Sequence, residues 1–193
     1  MKRIIEIILS LTMLLTVVGC QNNDAKDYDT TVVNSNENEP PITTNSGISN
    51  IYLCELYIDV LEDLWNVDSG LNSEISQVGI DLSRLINLTE DEKDYVMSKF
   101  ASNHNLPYIV GTWEELCEQG YIDKENLYWE DGLFFSIKTN EDGLKVDSEG
   151  VEYTSFDAQK WRSGLGAYFF DQCIAQKNDD GTWSYTAGQE VIS

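Results

Sequence analysis

Apolar residues recur along the first folded stretch at helical spacing. Ile48, Tyr52, Leu56, Val60 and Leu64 repeat every four residues, with Ile51, Leu53, Leu61 and Trp65 beside them. That spacing predicts a long helix with a wide apolar face, ending near Asp68-Ser69-Gly70. Val78 to Leu82 is short and apolar and predicts a strand. Thr89-Glu90-Asp91-Glu92 is a capping box that opens a second helix over 90–102, with Tyr95, Val96, Lys99 and Phe100 as its narrow stripe. Leu106 to Val110 predicts another strand, and Thr112-Trp113-Glu114-Glu115 a second capping box for a short helix stopped by Gly120.

After Asp123 the pattern changes. Leu133 to Lys138 predicts a strand, and a turn rich in Asn, Asp and Gly follows it. Ser155 to Lys177 is aromatic and lacks helix signals. Asn178 to Gly181 is a turn, with a return strand over 182–186. Helices first and strands afterwards predict an α+β fold, with N-terminal helices packed on a C-terminal curved antiparallel sheet. By shape alone this order is similar to the nuclear-transport-factor-2-like and cystatin-like folds, which carries no function.

Upstream of this domain lie two segments of different character. Lys2-Arg3 is a short basic start, and Ile7 to Val18 is apolar over about 12 residues, short of the roughly 20 of a membrane span. This suits a signal peptide over 1–19. The segment ends Val17-Val18-Gly19-Cys20, which resembles the lipobox of bacterial lipoproteins. The resemblance implies cleavage before Cys20, a diacylglyceryl group on its thiol and attachment to the extracytoplasmic face of a cell membrane. A thiolate is the natural nucleophile for that modification, and two acyl chains anchor stably where one does not. Residues 20–47 are rich in Asn, Thr, Asp and Glu, with Pro40-Pro41 inside them. They predict a disordered tether reaching on the order of 90 Å when extended. The folded domain then occupies 48–193, enough to bury roughly 68–70% of its unfolded surface without disulfides.

Charge narrows the function classes. The chain has 34 Asp+Glu against 12 Lys+Arg, a net charge of −22. Such a surface repels phosphate backbones and anionic head groups, so nucleic-acid partners are not expected. The lipid on Cys20 is the expected membrane contact, and a protein or small molecule the expected ligand.

No catalytic, cofactor or metal residue is nominated. His104 is the one histidine, which excludes His-rich zinc sites and HExxH chemistry. It reads as a solvated residue at the end of the second helix. Cys54, Cys117 and Cys173 show no metal spacing and read as buried apolar residues, with room for one disulfide. Asn66, Asp68, Gly70, Asn72 and Glu74 place oxygens at alternate positions, yet the loop lacks the first Asp and the final Glu of a calcium site. Carboxylates are too numerous for any pair to be singled out as hydrolytic.

One run stands out, Trp161 to Phe170. Read as a single strand, it places Arg162, Gly164, Gly166, Tyr168 and Phe170 on one face. A flat glycine floor flanked by an arginine and two aromatics is a candidate partner-binding surface. The alternative is that the glycines admit the protein's own helix. The functional expectation is a lipid-anchored, non-catalytic binding or envelope accessory module. A small carboxylate-using envelope hydrolase and a sensor or regulatory lipoprotein are the alternatives.

Overall fold

The computed structural model describes residues 48–140 and 143–193. The signal segment, Cys20, the tether to residue 47 and the turn residue Asp142 lie outside the described residues.

The three expected helices form, the first from its apolar spacing and the other two from their capping boxes. Helix α1 spans Ile51–Asn66, α2 Glu90–Asn103 and α3 Trp113–Glu118. Both capping boxes close: Thr89 with Glu92, and Thr112 with Glu115. α1 begins at residue 51 rather than 48 because Glu92 captures its entry. Glu92 Oε2 accepts the Thr89 N–H at 2.9 Å, while Oε1 accepts from Ser49 Oγ and from the Asn50 N–H at 2.8 and 2.9 Å. One carboxylate thus satisfies the first turn of two helices and pins their starts together. Burial opposes its ionisation, and the donors from Thr89, Ser49 and Asn50 overcome that, holding the carboxyl down at about 2.

The strands are β1 (Gln77–Asp81), β2 (Tyr108–Val110), β3 (Gly132–Thr139), β4 (Lys145–Val146), β5 (Glu152–Ser163), β6 (Gly166–Lys177), β7 (Trp183–Thr186) and β8 (Gln189–Ile192). They form one sheet in the order β2-β1-β3-β5-β6-β7, with β4 added to β5 and β8 to β6. The fold is α+β. From β3 onward the pairing is antiparallel, but β1 runs parallel to both β2 and β3. The apolar runs at 78–82 and 106–110 are therefore interior and edge strands of the same sheet, joined through α2, and α3 lies on the connection from β2 to β3.

β6 has two partners along its outer side. β8 pairs with Tyr168–Asp171 and β7 with Ile174–Lys177. The change of partner falls at a bulge, where Asp157 of β5 faces both Asp171 and Gln172. Gln172 takes a left-handed φ of 55°, and the extra residue bends the sheet.

Alternation along β3 divides the core. Leu133, Phe135 and Ile137 join α1 and α2 in the main cluster, with Val78, Ile80, Phe156 and Phe170. Phe134 points the other way and joins Leu116, Ile122 and Trp129 in a second cluster. Helix α3 thus packs on the face opposite α1 and α2, not with them. Two glycines make this possible. A Cβ on Gly132 would lie 2.0 Å from Trp129 Cε2, and one on Gly79 would lie 2.6 Å from a Leu116 methyl. The glycine floor of this protein lies under Trp129, on β1 and β3.

Candidate functional site

The run 161–170 is not one strand. β5 ends at Ser163, Gly164-Leu165 form a hairpin turn, and β6 starts at Gly166. The five residues proposed as one surface are thereby separated. Gly164 sits in the turn, and its N–H donates to Leu127 O at 2.8 Å. Gly166 keeps the hairpin neck tight, because a Cβ there would lie 2.8 Å from Ser163 Oγ. Tyr168 and Phe170 turn towards the helices and belong to the main core, with the Tyr168 hydroxyl donating to Glu190 at 2.5 Å. Leu165, in the turn beside Gly164, is 92% exposed. A two-residue turn does not interrupt an alternating apolar pattern, so periodicity alone reads this hairpin as one strand.

Arg162 is also engaged. Nη1 donates to Leu71 O and Ser73 O at 2.8 and 2.6 Å, and Nη2 to Glu130 O at 2.7 Å. Next to it, Lys160 is fully buried, and Nζ donates to Val67 O, to Trp65 O at 3.4 Å, to Asp68 O at 3.3 Å and to Asn72 Oδ1 at 3.2 Å. These oxygens belong to the loop whose alternating donors stop short of a calcium site. The protein fills that loop with its own ammonium and guanidinium groups. The end of α1 presents unpaired carbonyls and negative dipole, which a cation satisfies. Burial lowers the Lys160 pKa to about 8, with Asp68 opposing the shift, so the amine stays protonated at neutral pH.

His104 is likewise structural. It stacks on Trp65 with ring centroids 3.9 Å apart, and Nε2 lies 2.9 Å from Glu62 Oε2, tying the end of α2 to α1. Cys54, Cys117 and Cys173 are free thiols. Burial pushes Cys54 and Cys173 up to about 12, which removes thiolate character.

What remains is a concave groove of about 360 Å³ on the face that α3 only partly covers. α3 shields β1 and one end of β3; beyond it, Ser136, Gln159, Phe169 and Asp171 look out from β3, β5 and β6. Trp113 and Glu114 of α3 form one wall, and Asp81 at the end of β1 and Arg84 just after it line the groove as well. Trp113 is held edge-to-face against Trp161, with centroids 5.9 Å apart.

The charges in the groove differ in what they do. Asp157 is committed: its carboxylate accepts from Gln172 N at 2.8 Å, Asn140 Nδ2 at 3.1 Å and Lys138 Nζ at 3.1 Å. Burial works against its ionisation, and these three donors hold it below the ordinary carboxylate range. Asp157 therefore locks the bulge and neutralises Lys138. Among the described residues, the side chains of Arg84, Glu114, Ser136, Gln159 and Asp171 make no hydrogen bond or ion pair. Ser136, Gln159 and Asp171 are half-buried and Arg84 and Glu114 exposed; polar groups with no internal partner, set beside aromatic rings in a concavity, are what a ligand site requires.

No protein-family model, curated protein or solved structure matches the chain. Among the described residues no cluster of His, Cys, Asp and Glu is arranged to hold a metal ion, and no helix is long and apolar enough to cross a membrane.

The groove was not singled out from sequence. Its members come from five elements spread from Asp81 to Asp171, and its polar members are each ordinary when taken alone. The one local signal was polar alternation in β5, Ser155, Asp157 and Gln159, opposite a buried face.

Proposed function

We propose that this chain is a lipid-anchored binding module on the extracytoplasmic face of a cell membrane, and that it holds its ligand in the groove beside α3. Cys20 carries the anchor, and residues 20–47 are the tether. The observation that supports the reading is the division of labour in the groove. Trp113 and Phe169 offer ring surface, Ser136 and Gln159 offer hydrogen bonds with no internal partner, and the carboxylate of Asp157 is spent on the fold.

A hydrolase would have to use Glu114 and Asp171, the groove carboxylates without protein donors. One experiment separates the readings. The full chain has five tryptophans; labelled with 5-fluorotryptophan, it gives one fluorine NMR signal for each. Titration with mixed peptides and oligosaccharides shifts Trp113 saturably and leaves Trp65 and Trp183, packed against the main core, in place. The ligand is recovered intact. A Trp113 signal that never moves contradicts the binding site, and recovery of cleaved ligand favours the hydrolase. For the anchor, Cys20→Ser shifts the protein out of the membrane fraction; retention and normal cleavage in that variant contradict it.

A further inference from the structure

We infer that the groove takes a cationic segment of polypeptide, seating a lysine or arginine side chain against Trp113 and Phe169. The inference rests on the groove being the binding surface, and names the chemistry it selects. With Lys138 neutralised by Asp157 at 3.1 Å, three carboxylates remain on the lining, Asp81, Glu114 and Asp171, against the single cation Arg84. An anionic ligand would meet that excess at close range. A cation is attracted by it, and aromatic faces add to the attraction because the ring quadrupole is negative above and below the plane. Guanidinium suits the site better than a compact ammonium, since it stacks flat on a ring while its edge donates to a carboxylate.

The rest of the lining suits a peptide. Ser136 and Gln159, on adjacent strands, can both donate and accept, as a peptide backbone requires. A volume of about 360 Å³ is at the lower end for small-ligand pockets, so it admits one or two side chains and not a folded surface. The long-range field agrees: a chain of net charge −22 draws basic segments towards it and accelerates their encounter at low salt.

The test uses the full chain labelled with 5-fluorotryptophan and three defined probes: tri-arginine, tri-glutamate and maltotriose. Tri-arginine is expected to shift Trp113 saturably, with affinity falling as salt rises. Asp171→Asn and Glu114→Gln each weaken it, by roughly fivefold, the upper range for one exposed charge pair. Both variants must melt cooperatively, so that loss of binding is not loss of fold. Maltotriose or tri-glutamate moving Trp113 while tri-arginine does not overturns the cationic class and leaves the groove as a binding site. Tri-arginine binding that ignores salt and both substitutions also overturns it. So does silence from all three probes, and the broader titration described above then decides the binding reading separately.

Discussion

Replacing Lys160 by Met tests whether the protein's own cations build the loop after α1. The side chain is fully buried, and Nζ serves four oxygens, Trp65 O, Val67 O, Asp68 O and Asn72 Oδ1. Methionine keeps the length and the apolar stem but leaves Val67 O and Asn72 Oδ1 without a donor, whereas Trp65 O keeps Asn72 Nδ2 at 2.8 Å and Asp68 O keeps the Leu71 N–H at 3.1 Å. Each buried acceptor left unsatisfied costs about 1–3 kcal/mol. Two oxygens, Val67 O and Asn72 Oδ1, therefore carry the loss. Against this stands the relief of no longer burying an ammonium, which the fall of its pKa to about 8 makes substantial. The net expectation is a loss of about 3 kcal/mol, or roughly 6–12 °C in melting temperature for a domain of this size. Circular dichroism melts at pH 7 measure it. The pH dependence gives a second reading. The unfolded lysine keeps its proton to about 10.5 and the folded one releases it near 8. The unfolded chain therefore binds more protons across that window, and wild-type stability rises with pH there relative to Lys160→Met. A variant as stable as wild type at pH 7 would refute the argument, showing that desolvation outweighs the four contacts.

Three further outcomes follow from the packing. Glu92 ionises near 2 in the fold and near 4.5 when unfolded, so its contribution, up to about 3 kcal/mol, is present above pH 4.5 and is lost as pH falls towards 2; acid melts of Glu92→Gln should lack that component. Gly132→Ala drives a methyl into Trp129 and should cost upwards of about 3 kcal/mol by overpacking, whereas Gly164→Ala, whose Cβ would sit 3.4 Å from Leu127, should cost under about 1 kcal/mol in chemical denaturation. Reductant should leave the melting temperature unchanged, and a thiol reagent should label half-buried Cys117 in the native state but reach Cys54 and Cys173 only on unfolding.

Much of the fold was legible because its signals are local. Thr89 and Thr112 announce their helices three residues ahead of Glu92 and Glu115, and both boxes close as written. The parallel pairing of β1 was not legible, since Val78-Gly79-Ile80 reads the same in either direction. Nor was the use of Gly79 and Gly132, which depends on Trp129 arriving from another loop. Arg162 was conspicuous in sequence for the right chemistry and the wrong partner: its donors meet backbone carbonyls of the chain itself. Lys160, two residues earlier, drew no notice, because a lysine is rarely placed in a core without a visible counter-charge. The groove escaped because its free groups are defined by what they do not contact in the folded state.

The claim that the groove, and not the exposed hairpin tip, is the binding surface has a direct test. The tip carries Leu165 beside Leu127 and Tyr128, all exposed, and so is the rival surface. Calorimetric titration of the full chain with tri-arginine should show binding abolished by Asp171→Arg, which reverses charge in the groove, and unchanged by Leu165→Ser at the tip. Binding that survives Asp171→Arg and disappears with Leu165→Ser would contradict the account and return the function to the hairpin.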